Sequence, residues 1–251
     1  MGRVHFTCSF DDGDVADLRL ADLMCKYNIK GTFYIPQHCS LVSQSLSDEQ
    51  IRVLSHSFEI GGHTLSHPVL TDISFEKSEV EISGCKKWLE GIIGKQIDSF
   101  CPPTGRFNNS HILLQKKAGF RLMRTVEMLD CTLEGKGDSE NFVILPTTIQ
   151  VYNHTYGSYI RNLVKRLRFE NIPVLLKMFD KKWEQMSYNY FDYFDNHAER
   201  DHYFHLWGHS WEIEKYSLWD ILEKFFEGLQ NLPGLTFCTN SELSKILGSE
   251  K

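Results

Sequence analysis
Asp11 and Asp12 stand side by side in Ser9-Phe10-Asp11-Asp12-Gly13, and His63 and His67 lie four residues apart in Gly61-Gly62-His63-Thr64-Leu65-Ser66-His67-Pro68. A carboxylate and two neutral imidazoles make a three-ligand set for a divalent ion, zinc by default, and leave a coordination position open. Neighbouring side chains leaving a strand point in different directions. One of the two aspartates can therefore hold the ion while the other accepts a proton. Alone, Asp-Asp-Gly reads as an acidic helix start, and His-x3-His as one helical turn carrying two surface histidines. Together they supply a three-ligand catalytic set that leaves a position open for water, with a second carboxylate remaining for the base role.

Two further segments could complete that chemistry. In Phe100-Cys101-Pro102-Pro103-Thr104-Gly105-Arg106-Phe107 the prolines are stiff and lack N–H groups. The Thr104 amide is then held in place and could stabilise an oxyanion; the plainer reading is a Pro-Gly turn. Phe204-His205-Leu206-Trp207-Gly208-His209-Ser210-Trp211-Glu212 is an apolar strand with a histidine-rich tip. Trp207 and Trp211 could wall an acyl pocket, and His209 could act as a general acid. His205 competes with it, because both have the same parity along an extended strand.

These residues need a scaffold that brings strand ends together. Short apolar runs alternate with helical patterns, the rhythm of a parallel sheet with crossover helices. The pattern predicts strands at 4–10, 32–35, 58–62, 98–101, 121–126, 172–178, 203–207 and 235–238. It predicts helices at 15–27, from Ser47 with Gln50 as a capping box, and at 75–92, 111–118, 159–170, 217–229 and 240–247. Residues 134–138 read as a loop. The acidic, aromatic stretch 180–202 reads as an insertion or lid, where substrate contacts would be sought. No linker appears, so residues 1–251 are expected to form one domain.

Composition narrows the class. The chain has 251 residues, 41% hydrophobic and 13% aromatic, enough for a large core. A net charge of −6 argues against a nucleic-acid partner, which would require a basic face. No run approaches the roughly 18 apolar residues of a membrane span, and no secretory signal is visible. Seven dispersed cysteines without a Cys-x-x-Cys pair read as reduced thiols, so a cytoplasmic setting is expected. Two glycosylation sequons, at Asn108 and Asn153, are then coincidental. Cys101 reads as a packed thiol.

The order Phe-Asp-Asp-Gly, His-x3-His, a Pro-Pro-x-Gly turn and a late strand-end histidine resembles the polysaccharide deacetylase family (carbohydrate esterase family 4) over residues 4 to 240, and within it the intracellular members of surface-glycan biosynthesis. The resemblance implies an α/β fold, a distorted (β/α) barrel of about seven parallel strands. It implies Asp12, His63 and His67 as metal ligands, Asp11 as general base, the Thr104 amide as oxyanion donor and His209 as general acid. Pro103, Arg106, Trp207 and Trp211 are the substrate contacts expected with them, Trp207 or Leu206 lying beside the acetyl methyl. The substrate would be an acylated amino sugar or glycan. The chain departs from the family where arginine is replaced by Cys101 and an aromatic by Thr104; Arg106 or Arg124 is the candidate substitute for that arginine. The fourth motif has only an echo in Asp180 and Trp183. Two other readings stand beside this one: a hydrolase of another small amide or formyl group, and a non-catalytic carbohydrate-binding relative.

Overall fold
The structure is a computed structural model and describes residues 3–133, 137, 138, 142–197 and 201–249. Strand β1 (Val4–Asp11) is buried at all but its first residue and forms the middle of the sheet. After it come α1 (Asp17–Lys26), β2 (Thr32–Ile35), α2 (Asp48–Leu54), β3 (Glu59–Gly62), α3 (Phe75–Ile93), β4 (Ser99–Phe100), α4 (Asn109–Ala118) and β5 (Leu122–Arg124). Strands β6 (Val143–Leu145) and β7 (Ile149–Gln150) follow, then α5 (Tyr156–Arg166), α6 (Ile172–Met178), α7 (Trp183–His197), β8 (His202–Gly208), α8 (Ser210–Lys215), α9 (Trp219–Leu229), β9 (Leu235–Phe237) and α10 (Asn240–Ser249).

Every strand pairing is parallel, in the order β6-β5-β4-β3-β2-β1-β8-β7, with β9 also on β1. The two outer strands, β6 and β7, are separated in sequence by Pro146, Thr147 and Thr148 alone. So short a link spans at most about 14 Å, so the sheet curls until its edges nearly meet. The fold is a distorted (β/α) barrel, with the ends of β1, β3 and β8 opening on one rim. Among the described residues nine strands are found where about seven were expected; the excess includes β6, in the segment 130–148 that carries little periodicity, and β7, just after it.

Local rules explain most elements. Ser47 accepts from the Gln50 amide while the Gln50 side chain accepts from the Ser47 amide, the predicted capping box. Gly61 packs against Tyr34 so closely that a Cβ there would lie 2.5 Å from the ring. Residues 172–178 are a helix, not a strand. Pro173 sits at its start, and Leu175 and Met178 are buried while Leu176 faces solvent, a spacing of three that a short apolar run conceals. The stretch 180–202 is not an irregular lid over its described residues. Most of it is α7, and Trp183, Met186 and Tyr190 are buried in the main core. Residues 134–136, where the predicted loop begins, lie outside the described residues.

Candidate active site
Asp11 closes β1, and Asp12 follows with φ 81°, a left-handed backbone that non-glycine residues rarely adopt. Thr64, His67 and Thr104 also have positive φ, at 69°, 54° and 57°. Such strain gathers where a site is over-determined by its surroundings. The His63–His67 segment is therefore a loop and not the helical turn its spacing suggested. Glu81 on α3 accepts from the Leu65 and Ser66 amides, each at 2.8 Å, and anchors it.

Within this frame Asp12 Oδ1 lies 3.1 Å from His67 Nε2 and 3.5 Å from His63 Nε2. It is buried and makes no hydrogen bond of acceptable geometry. His63 Nδ1–H donates to the Cys101 carbonyl at 2.6 Å, so its Nε2 turns a lone pair inward. One ligand atom from each of Asp12, His63 and His67 lies within 4.8 Å of the others. An orphaned carboxylate oxygen facing two imidazole nitrogens fits a divalent cation. Burial pushes the Asp12 carboxyl up, but His63 and His67 hold it well below the usual carboxylate range. Burial opposes charge on His67 too, yet Asp12 and Cys39 push it up to about 10. A proton then occupies the charge-balancing role that a metal would take over on binding.

Trp211 Nε1–H donates to the other Asp12 oxygen at 2.9 Å. The predicted substrate contact is thus also a support of the candidate ligand. Trp211→Phe removes that donor, and metal affinity should fall by about 10- to 100-fold, read by competition with a chelator. Unchanged affinity would show that Asp12 needs no such support.

Asp11 is buried beside the set. Arg124, fully buried at the end of β5, donates to its Oδ1. The guanidinium lies 5.1 Å from the ring centres of both Tyr34 and Trp207. The Cys101 thiol approaches Asp11 Oδ2 at 3.8 Å. Burial, with Asp11 and Asp12 nearby, pushes that thiol up, so it stays protonated and packed.

His209 follows β8, and its Nδ1 meets Glu212 Oε2 at 2.6 Å. Its Nε2 is 3.8 Å from Asp12 Oδ2. Burial opposes charge on the ring, but Glu212, Asp11 and Asp12 raise its pKa above the ordinary imidazole value. A step that needs protonated His209 should run at low pH and be lost as pH rises through that raised value, above about 6.5. Glu212→Gln should shift the alkaline limb of kcat/KM to lower pH; a profile that does not move would contradict the pairing.

A cavity of about 360 Å³ collects these groups. Asp11, Asp12, His63, His67, Thr104, Trp207, His209 and Trp211 line it, with Pro102, Leu41, Val126, Met128, Gln150, His154 and Asn162. Among the described residues the Thr104 N–H has no acceptor, while the amides of Gly105 and Arg106 donate to Pro102 and Pro103. Two expected substrate contacts are not brought there. Pro103 is buried and outside the cavity lining, and Arg106 pairs with Asp72 at 3.0 Å on the surface. His205 is fully buried inside the barrel against Ser9 Oγ at 2.8 Å, so His209 is the histidine at the cavity. Trp183 packs in the core on Phe225, and Asp180 is outside the cavity lining. Glu212, Gln150 and His154 went unassigned in the sequence. Glu212 had one legible signal, its position three residues after His209 at a helix start.

Fold and site together define a distorted (β/α) barrel whose rim gathers a group, Asp12, His63 and His67, that could hold a metal ion. Residues 3–123, just under half of the chain, match the model of the polysaccharide deacetylase family. A peptidoglycan-N-acetylglucosamine deacetylase of Bacillus cereus is 30% identical over 120 residues, 45% of this chain and 52% of that protein. The peptidoglycan-N-acetylmuramic acid deacetylase PdaC of Bacillus subtilis is 29% identical over 103 residues, 40% of this chain and 21% of that protein. The alignments thus span about half or less of these curated relatives. The fold is shared with a solved structure named a putative polysaccharide deacetylase of Mycobacterium smegmatis, at a TM-score of 0.64, 12% identity and 98% and 91% coverage of the two chains. It is shared as well with the Xyl-CE4 domain of a multidomain xylanase from the hindgut metagenome of Trinervitermes trinervoides, at a TM-score of 0.56, 15% identity and 99% and 92% coverage.

Proposed function
We propose that this chain is a metal-dependent hydrolase that removes an N-acetyl or similar acyl group from an amino sugar or glycan precursor. The observation that carries the reading is the convergence of Asp12 Oδ1 with His63 and His67 at 3.5 and 3.1 Å, next to an Arg124-paired Asp11. A divalent cation held by Asp12, His63 and His67, zinc by default, would supply Lewis acidity toward water and the acyl carbonyl. Asp11 takes the proton of the attacking water. The Thr104 N–H donates to the carbonyl oxygen as negative charge develops on it. His209, whose charged form Glu212 favours, hands a proton to the departing amine, a poor leaving group without it. Trp207 walls the acyl end of the cavity.

Arg124 and Glu212 favour the catalytic reading over the carbohydrate-binding one. That alternative rested on a missing arginine and a weak fourth motif; Arg124 beside Asp11 and Glu212 beside His209 give the two candidate catalytic groups charged partners. Among the described residues no helix is long and apolar enough to cross a membrane. The cytoplasmic setting remains part of the proposal, supported by the dispersed cysteines. Metal-loaded protein incubated with N-acetylated amino sugars, small amides and formyl compounds, and followed by mass spectrometry, tests the reading. Acyl loss from the sugars supports it. Turnover confined to small amides or formyl compounds would replace it with the other hydrolase.

A further inference from the structure
We infer that His154 is a specificity-determining residue whose Nδ1 offers the substrate a fixed hydrogen-bond acceptor, matched to a sugar hydroxyl. The inference rests on the hydrolase reading and deepens its substrate class. Its basis is a chain of hydrogen bonds in which each proton has one allowed position.

Glu212, as a carboxylate, can only accept. Gln150 approaches its Oε2 at 3.0 Å through Nε2, alongside His209 Nδ1 at 2.6 Å. A reversed Gln150 amide would set oxygen against oxygen, so the amide nitrogen belongs on Glu212. The Gln150 carbonyl then faces His154 Nε2 at 2.8 Å, and a carbonyl only accepts. His154 Nε2 must carry the proton. Burial lowers the His154 pKa, so the ring is neutral and Nδ1 keeps a lone pair. The Tyr152 and Tyr159 rings, with centroids 4.9 and 5.7 Å away, hold the imidazole in this orientation.

His154 lines the cavity, and its Nδ1 has no partner among the described residues. Turning Nδ1 into a donor would break the chain that ends on His209. The wall therefore selects a group that donates. Hydroxyls of an amino sugar donate; a simple aliphatic amide or formyl compound has none to place there. An acceptor that a bound substrate covers and leaves unmatched carries a penalty, which turns one atom into discrimination.

Two probes differing in hydroxyls test this: N-acetylglucosamine and N-acetylcyclohexylamine, with acetate release measured for metal-loaded wild type and His154→Phe. Wild type should prefer the sugar, and the variant should lose about tenfold of that preference, mainly in KM. A preference unchanged by the substitution overturns the inference while leaving the hydrolase reading intact. Nitrogen NMR of His154 in the wild-type protein gives a readout free of turnover. A neutral ring protonated at Nε2, with Nδ1 shifting as N-acetylglucosamine is added, is the expected result. An Nδ1–H ring, an imidazolium or an Nδ1 indifferent to the sugar would overturn it even if neither probe is hydrolysed, an outcome that counts separately against the hydrolase reading.

Discussion

Asp11→Asn should bind metal as wild type does and turn over substrate about 100- to 10,000-fold more slowly, the range for loss of a positioned proton acceptor. The expectation follows from the division of labour at the end of β1. Asp12 Oδ1 faces the imidazoles, whereas Asp11 faces Arg124 and Cys101. Asparagine keeps an oxygen for Arg124 to donate to but cannot take a proton. Loss of the charge will weaken the fold somewhat, so thermal melting and metal content should accompany the kinetics. A metal-replete and fully active variant would remove Asp11 from the reaction.

Arg124→Met should cost about 3–5 kcal/mol of folding stability and most of the activity. Its guanidinium is fully buried, paired with Asp11 and set against Tyr34 and Trp207. Removing one partner strands the other charge out of water, the expensive way to break a buried pair. Asp11 then keeps Asp12 as a neighbour and loses its cation. The double variant Asp11→Asn/Arg124→Met should recover part of the stability but none of the activity, because the uncompensated charge goes while the base stays absent. Denaturant unfolding of the four proteins measures the coupling. Additive losses would show that the pair is not a unit.

The candidate ligand set was legible because it depends on residue types at short spacing: a strand-end carboxylate and two histidines four apart. The way the histidines converge was not. Their loop relies on Thr64 and His67 at positive φ, and neither is a residue that advertises such a conformation, as glycine would. Arg124 could be named only as a stand-in, since its contact with Asp11 joins positions 113 apart through the closure of the barrel. The far wall of the cavity was harder still. Gln150 and His154 lie on and just after β7, two residues long and too short to leave a period of two in the sequence. The misassigned strand at 172–178 and the expected lid at 180–202 have a common cause. Apolar and aromatic runs tell of burial, but not whether a helix or a strand provides it.

The claim under all of this is that one cation joins Asp12, His63 and His67, and metal analysis of purified protein beside Asp12→Ala addresses it most directly. One equivalent of divalent metal per folded wild-type chain, and almost none in a folded Asp12→Ala, is the expected result. A folded Asp12→Ala that retains the full equivalent would contradict it.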